Sequence, residues 1–239
     1  MNHIRDAFRL MKHRFWTVLM LGLLLITPVF FFNLIFTNYF FRYYGALDLL
    51  FIAHFFRAFL VLLGLSVSQI PFIELAFRDV MGEDIRFKDG IRSILEHVFP
   101  VYIMGILYAF LSTFGGLLFI IPGILISVWL FLFPYAAVIE KEHWWKGFKR
   151  AFVTGKAHFF QLFLILLLFG VIEMIVGFAA QIGTLLLTNR FIVIALVQWG
   201  LNLLYVPLFT FVITYFYIEW NGGKETFQEG PLGQWGSLR

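Results

Sequence analysis

The chain has 239 residues, of which 61% are hydrophobic and 13% charged, against roughly 45–50% and 25% in ordinary soluble domains. One soluble core of this size cannot hide so much apolar surface, so lipid is the expected solvent. The formal net charge is +4, and cysteine is absent, which excludes disulfides, thiolate zinc sites and cysteine-ligated iron–sulfur clusters.

A span needs about 20 apolar residues. The first candidate covers residues 15–36, after a basic start containing Arg5, Arg9, Lys12 and Arg14. It is longer than a signal-peptide core and no small-residue cleavage site follows, so it reads as an uncleaved span. The second lies within 49–77 and is interrupted by His54, Arg57, Gln69 and Glu74. The third and fourth, 99–118 and 121–139, form a hairpin with almost no loop, split near Gly115–Gly116 or Pro122–Gly123. The fifth covers 159–182 and the sixth 191–217. Pro28, Pro134 and Pro207 read as kinks, which membrane helices tolerate. Together these spans predict an all-α, polytopic bundle filling 1–219. Residues 220–239 read as a flexible cytoplasmic tail, in which Trp235 and Leu238 offer a docking peptide as a second reading.

Charge placement predicts orientation. Fifteen of the eighteen Lys and Arg fall in the N-terminal segment, in Arg78–His97, in Glu140–His158 and in the tail. Only Arg42 and Arg190 fall on the other side, and Arg57 lies within a span. Positive residues mark the cytoplasmic face, so both termini are expected inside.

The basic segments before the odd-numbered spans are alike. Ile4, Phe8, Met11 and Phe15 share one helical face, with Arg5, Arg9 and Lys12 elsewhere. Phe87, Ile91, Leu95 and Val98 repeat the spacing, with Lys88 and Arg92 on the polar side. Trp145, Phe148, Phe152 and Phe159 do so again, with Lys146, Lys149, Arg150 and Lys156. Such helices lie in the interface with their cations toward anionic lipid head groups. Ala7-Phe8, Lys12 and Phe15-Trp16 correspond to Ala151-Phe152, Lys156 and Phe159-Phe160. A threefold repeat, each unit a basic helix and two spans, is one reading. The other is that any basic helix entering a membrane shows this pattern.

The stretch IPGILISVWLFLFPYAAVIE at 121–140, followed by WWKGFKRAFVTGKAHFF, carries Pro122-Gly123, Pro134, and Ala151-Phe152 with Lys156. It resembles the membrane domains attached to some bacterial glycerophosphodiester phosphodiesterases and related polytopic membrane families. The opening IRDAFRLMKHRFW resembles the first helix of one such family. The resemblance implies a helical fold in a bacterial plasma membrane. The phosphodiesterase catalytic domain has no counterpart in these residues, so no hydrolase activity is implied.

Enzyme motifs are missing: no G-x-S-x-G, H-E-x-x-H or dinucleotide fingerprint occurs. Asn221–Thr226 lacks the first glycine and the magnesium-binding hydroxyl of a phosphate loop. The six histidines show no ligand spacing. No metal, cofactor, catalytic residue or nucleic-acid partner is expected.

Polar residues inside spans are costly, at least ~2.5–3.5 kcal/mol for a charge near the bilayer centre. Glu74 and Arg78 share a helix face at i,i+4, which predicts an interfacial ion pair. Counting 1.5 Å per residue from the span ends puts Arg57 and Glu173 at similar depth. A polar cluster of His54, Arg57, Glu173, Gln198 and Asn202 is therefore expected. Within it Arg57 and Glu173 form a pair, or Arg57 extends to the surface alone. Two functions follow: a non-catalytic scaffold, accessory or envelope-homeostasis component with a membrane-protein partner, or a small transporter or permease subunit. A water-accessible cavity at Arg57 and Glu173 marks the second, and sealed charges mark the first.

Overall fold

The computed structural model describes residues 3–229. Among these the protein is all-α, with eleven helices in chain order: α1 (His3–His13), α2 (Phe15–Gly45), α3 (Leu50–Ser68), α4 (Ile70–Met81), α5 (Phe87–Leu118), α6 (Ile120–Leu130), α7 (Phe133–Ile139), α8 (Trp144–Ala157), α9 (Phe159–Leu187), α10 (Phe191–Trp220) and α11 (Gly223–Glu229). Six helical stretches are long and apolar enough to cross a membrane: α2, α3 with α4, α5, α6 with α7, α9 and α10. They alternate in direction, so the basic segments gather at one end of the bundle.

Prolines set where the second and fourth spans break. Pro71 follows a break at Gln69, and Pro134 follows a turn at Phe131–Leu132. Each lacks an N–H and would crowd the carbonyl four residues earlier, so the helix restarts with proline in its first turn. Pro28 and Pro207 instead sit inside continuous helices. The segments after Pro71, Pro134 and Pro207 form the centre of the basic half. Ile70–Ile73 and all of α7 are buried, as is the stretch Phe209–Tyr215. Ring contacts Phe72–Phe211, Phe131–Phe209 and Tyr135–Tyr217 join them. In lipid such packing stabilises through van der Waals contact, since moving apolar groups from lipid to protein gains little.

The hairpin between the third and fourth spans turns on one residue. Phe119 is extended (φ −149°, ψ 124°) between α5 and α6, midway between the two expected split points. The helices can approach so closely because Gly123 faces Gly115 and Gly116.

The first and third basic segments are separate helices that break alike. Arg14 has φ −115°, ψ 27° and His158 φ −111°, ψ 29°. Ala7, Arg14 and Val18 map onto Ala151, His158 and Leu162 with one constant offset, and the two alanines, Val18 and Leu162 are all buried. α1 packs on α10 through His3, Ala7 and Leu10, leaving Ile4 and Phe8 outside. The second basic segment differs. With no such break, Lys88 and Arg92 lie in the opening turns of one helix that continues to Leu118.

The expected flexible tail is partly ordered. α11 follows the turn at Asn221–Gly222, and Phe227 meets Phe77 edge-on at 5.8 Å. An aromatic side chain within reach of the α4 face supplies the contact that composition alone did not reveal. Trp235 and Leu238 lie outside the described residues.

Candidate functional site

Two hairpins, α2–α3 and α9–α10, diverge toward the end away from the basic helices. α3 packs on α2 and α5, while α9 packs on α10. The space between them is a cleft of about 570 Å³, within the usual ~300–1,000 Å³ of ligand sites. Its floor is apolar and buried: Phe131, Val206 and Phe209. Its walls carry Asn33, Thr37 and Asn38 from α2, Arg57 and Ser68 from α3, Glu173 from α9, and Asn202 and Tyr205 from α10.

The polar face of α2 comes from helical spacing. Ile26, Val29, Phe30, Asn33, Thr37 and Asn38 recur at three- and four-residue intervals and so line one face. Asn33 donates its amide N–H to the Val29 carbonyl at 3.0 Å, leaving its buried Oδ1 without a partner, and Asn38 donates to the Leu34 carbonyl at 2.7 Å. The α3 wall comes close because Gly64 faces Asn33; a Cβ there would lie 2.6 Å from its amide nitrogen.

Arg57, Glu173 and Asn202 thus share one cleft, but Arg57 and Glu173 do not form the expected pair. Arg57 has no carboxylate within 4.0 Å among the described residues. The reason is depth. Phe56 stacks on Phe40 at 4.3 Å, which sets Arg57 level with the far part of α2. Gln198 donates to the Gly177 carbonyl at 3.0 Å, and Trp199 donates to Thr27 at 3.1 Å. Glu173, one turn nearer the basic end than Gly177, therefore lies near the level of Thr27. The two charges are roughly 20 Å apart along the bundle at 1.5 Å per residue. α2 spans 31 residues and α3 with α4 spans 32, so counting from span ends underestimates this separation.

The other expected members of the cluster lie outside the lining. Gln198 ties α10 to α9, and its carbonyl accepts from Asn202 at 2.9 Å. His54 is exposed and meets Phe41 edge-on at 4.9 Å. Asn33, Thr37, Asn38, Ser68 and Tyr205 were not anticipated. The signal available was Asn33 and Thr37 at i,i+4 inside an apolar run, which is a weak one.

At the basic end, Glu74 and Arg78 pair at 2.7 Å as their spacing predicts. Arg78 also reaches Glu83 at 3.1 Å and Asp89 at 3.5 Å. It thereby joins the end of α4 to the start of α5. Of the cations expected at lipid head groups, Arg5, Lys12, Lys88, Lys146, Lys149 and Lys156 are exposed. Arg9, Arg92 and Arg150 are also held by acids: Arg9 by Asp6 and Asp79, Arg92 by Glu96, Arg150 by Glu140. Glu140 also accepts from the Tyr217 hydroxyl at 2.5 Å. Burial lowers the Arg150 pKa, but Glu140 and Tyr217 together outweigh it and leave it raised above the ordinary arginine value.

The fold and cleft define a multi-pass helical membrane protein with a polar cavity between two hairpins. No protein-family model, curated protein or solved structure matches the chain.

Proposed function

We propose that this protein is a small membrane transporter or permease subunit that holds an amphiphilic ligand in the cleft. One observation carries the reading: Arg57 and Glu173 both line one cavity, and Arg57 has no carboxylate within 4.0 Å among the described residues. A scaffold using these charges only to fix helix register would have sealed them against each other. Intramembrane ionisable groups that face a cavity are functional candidates by default. The reading needs binding and release, with no catalytic step. The likeness to phosphodiesterase-attached membrane domains suits it, since that likeness implies a helical membrane domain without hydrolase machinery.

The orientation belongs to the same proposal. Fifteen cations would lie on the cytoplasmic side of a bacterial plasma membrane, with both termini inside. α1 and α8 would rest in the inner interface, with Arg5, Lys12, Lys146, Lys149 and Lys156 toward anionic lipid. The cleft then opens toward the outer leaflet.

Gly170 gives a clean test. It lines the cleft, and a Cβ added there meets nothing within 4 Å, so Gly170→Trp fills the space without a clash at its base. Native mass spectrometry in nanodiscs should show a retained amphiphile on the wild-type protein. The filled variant should lack it at unchanged thermal stability. Equal retention by both proteins, or retention by neither, would contradict the proposal.

A further inference from the structure

We infer that the ligand is an anionic lipid, with its acidic head group on Arg57 and its tail running down the cleft toward Phe131 and Phe209. The inference rests on the reading of the cleft as a ligand site and adds the chemical class of the ligand.

The guanidinium is always charged and offers five donors in a fixed fork that fits a phosphate or carboxylate. Within a span it needs an anion or water. Among the described residues no carboxylate lies within 4.0 Å of it. Glu173, the carboxylate of the cleft, is roughly 20 Å away along the bundle. A ligand anion is the remaining partner of matching charge. Phe56 stacks on Phe40, close to the end of α2 at Gly45, so Arg57 stands near the mouth of the cleft, where a lipid head group would lie.

The lower cleft fixes the rest of the ligand. Between Arg57 and the floor the α2–α3 wall presents Val61 and Leu65 of α3 and Ile26 and Val29 of α2, with Asn33 among them. That stretch is mostly apolar, which matches a hydrocarbon tail, while Thr37 and Asn38 add polar groups to the cleft wall. From Arg57 to Ser68 the cleft follows α3 for eleven residues, about 16 Å, which accommodates much of an acyl chain. Glu173 sets polarity: a second negative charge would be repelled from the deeper part, so the head group stays at the mouth and the tail points inward.

The test uses photoreactive lipids with identical tails, phosphatidylglycerol and phosphatidylcholine, in vesicles containing the full-length protein. Adducts are mapped to the peptides carrying Phe131 and Phe209. Phosphatidylglycerol should label these peptides on the order of tenfold more than phosphatidylcholine, the size of one retained ion-pair contact. Arg57→Gln should bring the two lipids level, and Arg57→Lys should keep part of the preference. Equal labelling by both lipids, unaffected by Arg57→Gln, would overturn the anionic assignment while leaving the cleft an amphiphile site. Loss of phosphatidylglycerol labelling upon adding inorganic phosphate would make a free anion the ligand and overturn the lipid assignment. Absence of label from the cleft peptides with either lipid would remove the cleft reading itself.

Discussion

Replacing Gly123 by alanine should loosen the α5–α6 hairpin, and the structure gives the size of the effect. A Cβ at this position would lie 2.4 Å from both the Cα and the N of Gly116, and 3.0 Å from the Gly115 carbonyl carbon. These are backbone atoms, so no rotamer change relieves the overlap. Ordinary contact begins near 3.4 Å, so the helices must separate by about 1 Å next to a one-residue turn. Overpacking of this kind costs about 1–3 kcal/mol, and alanine returns at most ~1 kcal/mol through helix propensity. Gly116→Ala is the internal control, since its Cβ meets nothing within 4 Å and only the propensity gain remains. Reversible unfolding in mixed detergent micelles should therefore place Gly123→Ala about 1–3 kcal/mol below Gly116→Ala. Equal stability of the two variants would refute the close backbone contact.

Arg78→Gln removes the cation shared by Glu74, Glu83 and Asp89. The half-buried setting lies between an exposed and a buried pair, so a loss of about 1–3 kcal/mol is expected in the same unfolding assay. Arg86→Gln, whose partner Asp84 is exposed, should change stability by less than about 0.5 kcal/mol. Gln198→Leu breaks the link from α10 to the Gly177 carbonyl and should cost about 0.6–1.7 kcal/mol, as interhelical hydrogen bonds in membranes do. Neutralising Lys146, Lys149 and Lys156 together should weaken the preference for anionic over neutral vesicles by about 1 kcal/mol per charge, read from lipid-binding titrations at low salt.

Span number was legible because apolar length is a strong signal in a membrane sequence, but not every span end was: α2 runs on to Gly45 past the expected 36, and α5 begins at Phe87 well before the expected 99. The Glu74–Arg78 pair was legible because i,i+4 spacing is local. The relation of Arg57 to Glu173 was hidden. It depends on how far helices of about 30 residues slide past one another, and the level of each is set by remote contacts such as Phe40–Phe56 and Gln198–Gly177. Asn33, Thr37 and Asn38 were hidden for a related reason: a lone amide in an apolar helix gains meaning only when the facing helix stands away. The matching breaks at Arg14 and His158 were foreshadowed by the shared alanine, lysine and aromatic positions. The unbroken path of α5 was not, because nothing in the Lys88–Arg92 pattern says whether the helix will bend before its span.

The account depends on a bilayer threaded six times, with the basic end inside and the cleft open to the opposite face. The chain has no cysteine, so single cysteines at Asn38, in the cleft, and Lys146, on exposed α8, report without background. A membrane-impermeant thiol reagent should label Asn38→Cys in intact cells and Lys146→Cys only after permeabilisation. Labelling of both from one side, the reverse pattern, or an Asn38→Cys that stays unlabelled after permeabilisation would contradict it.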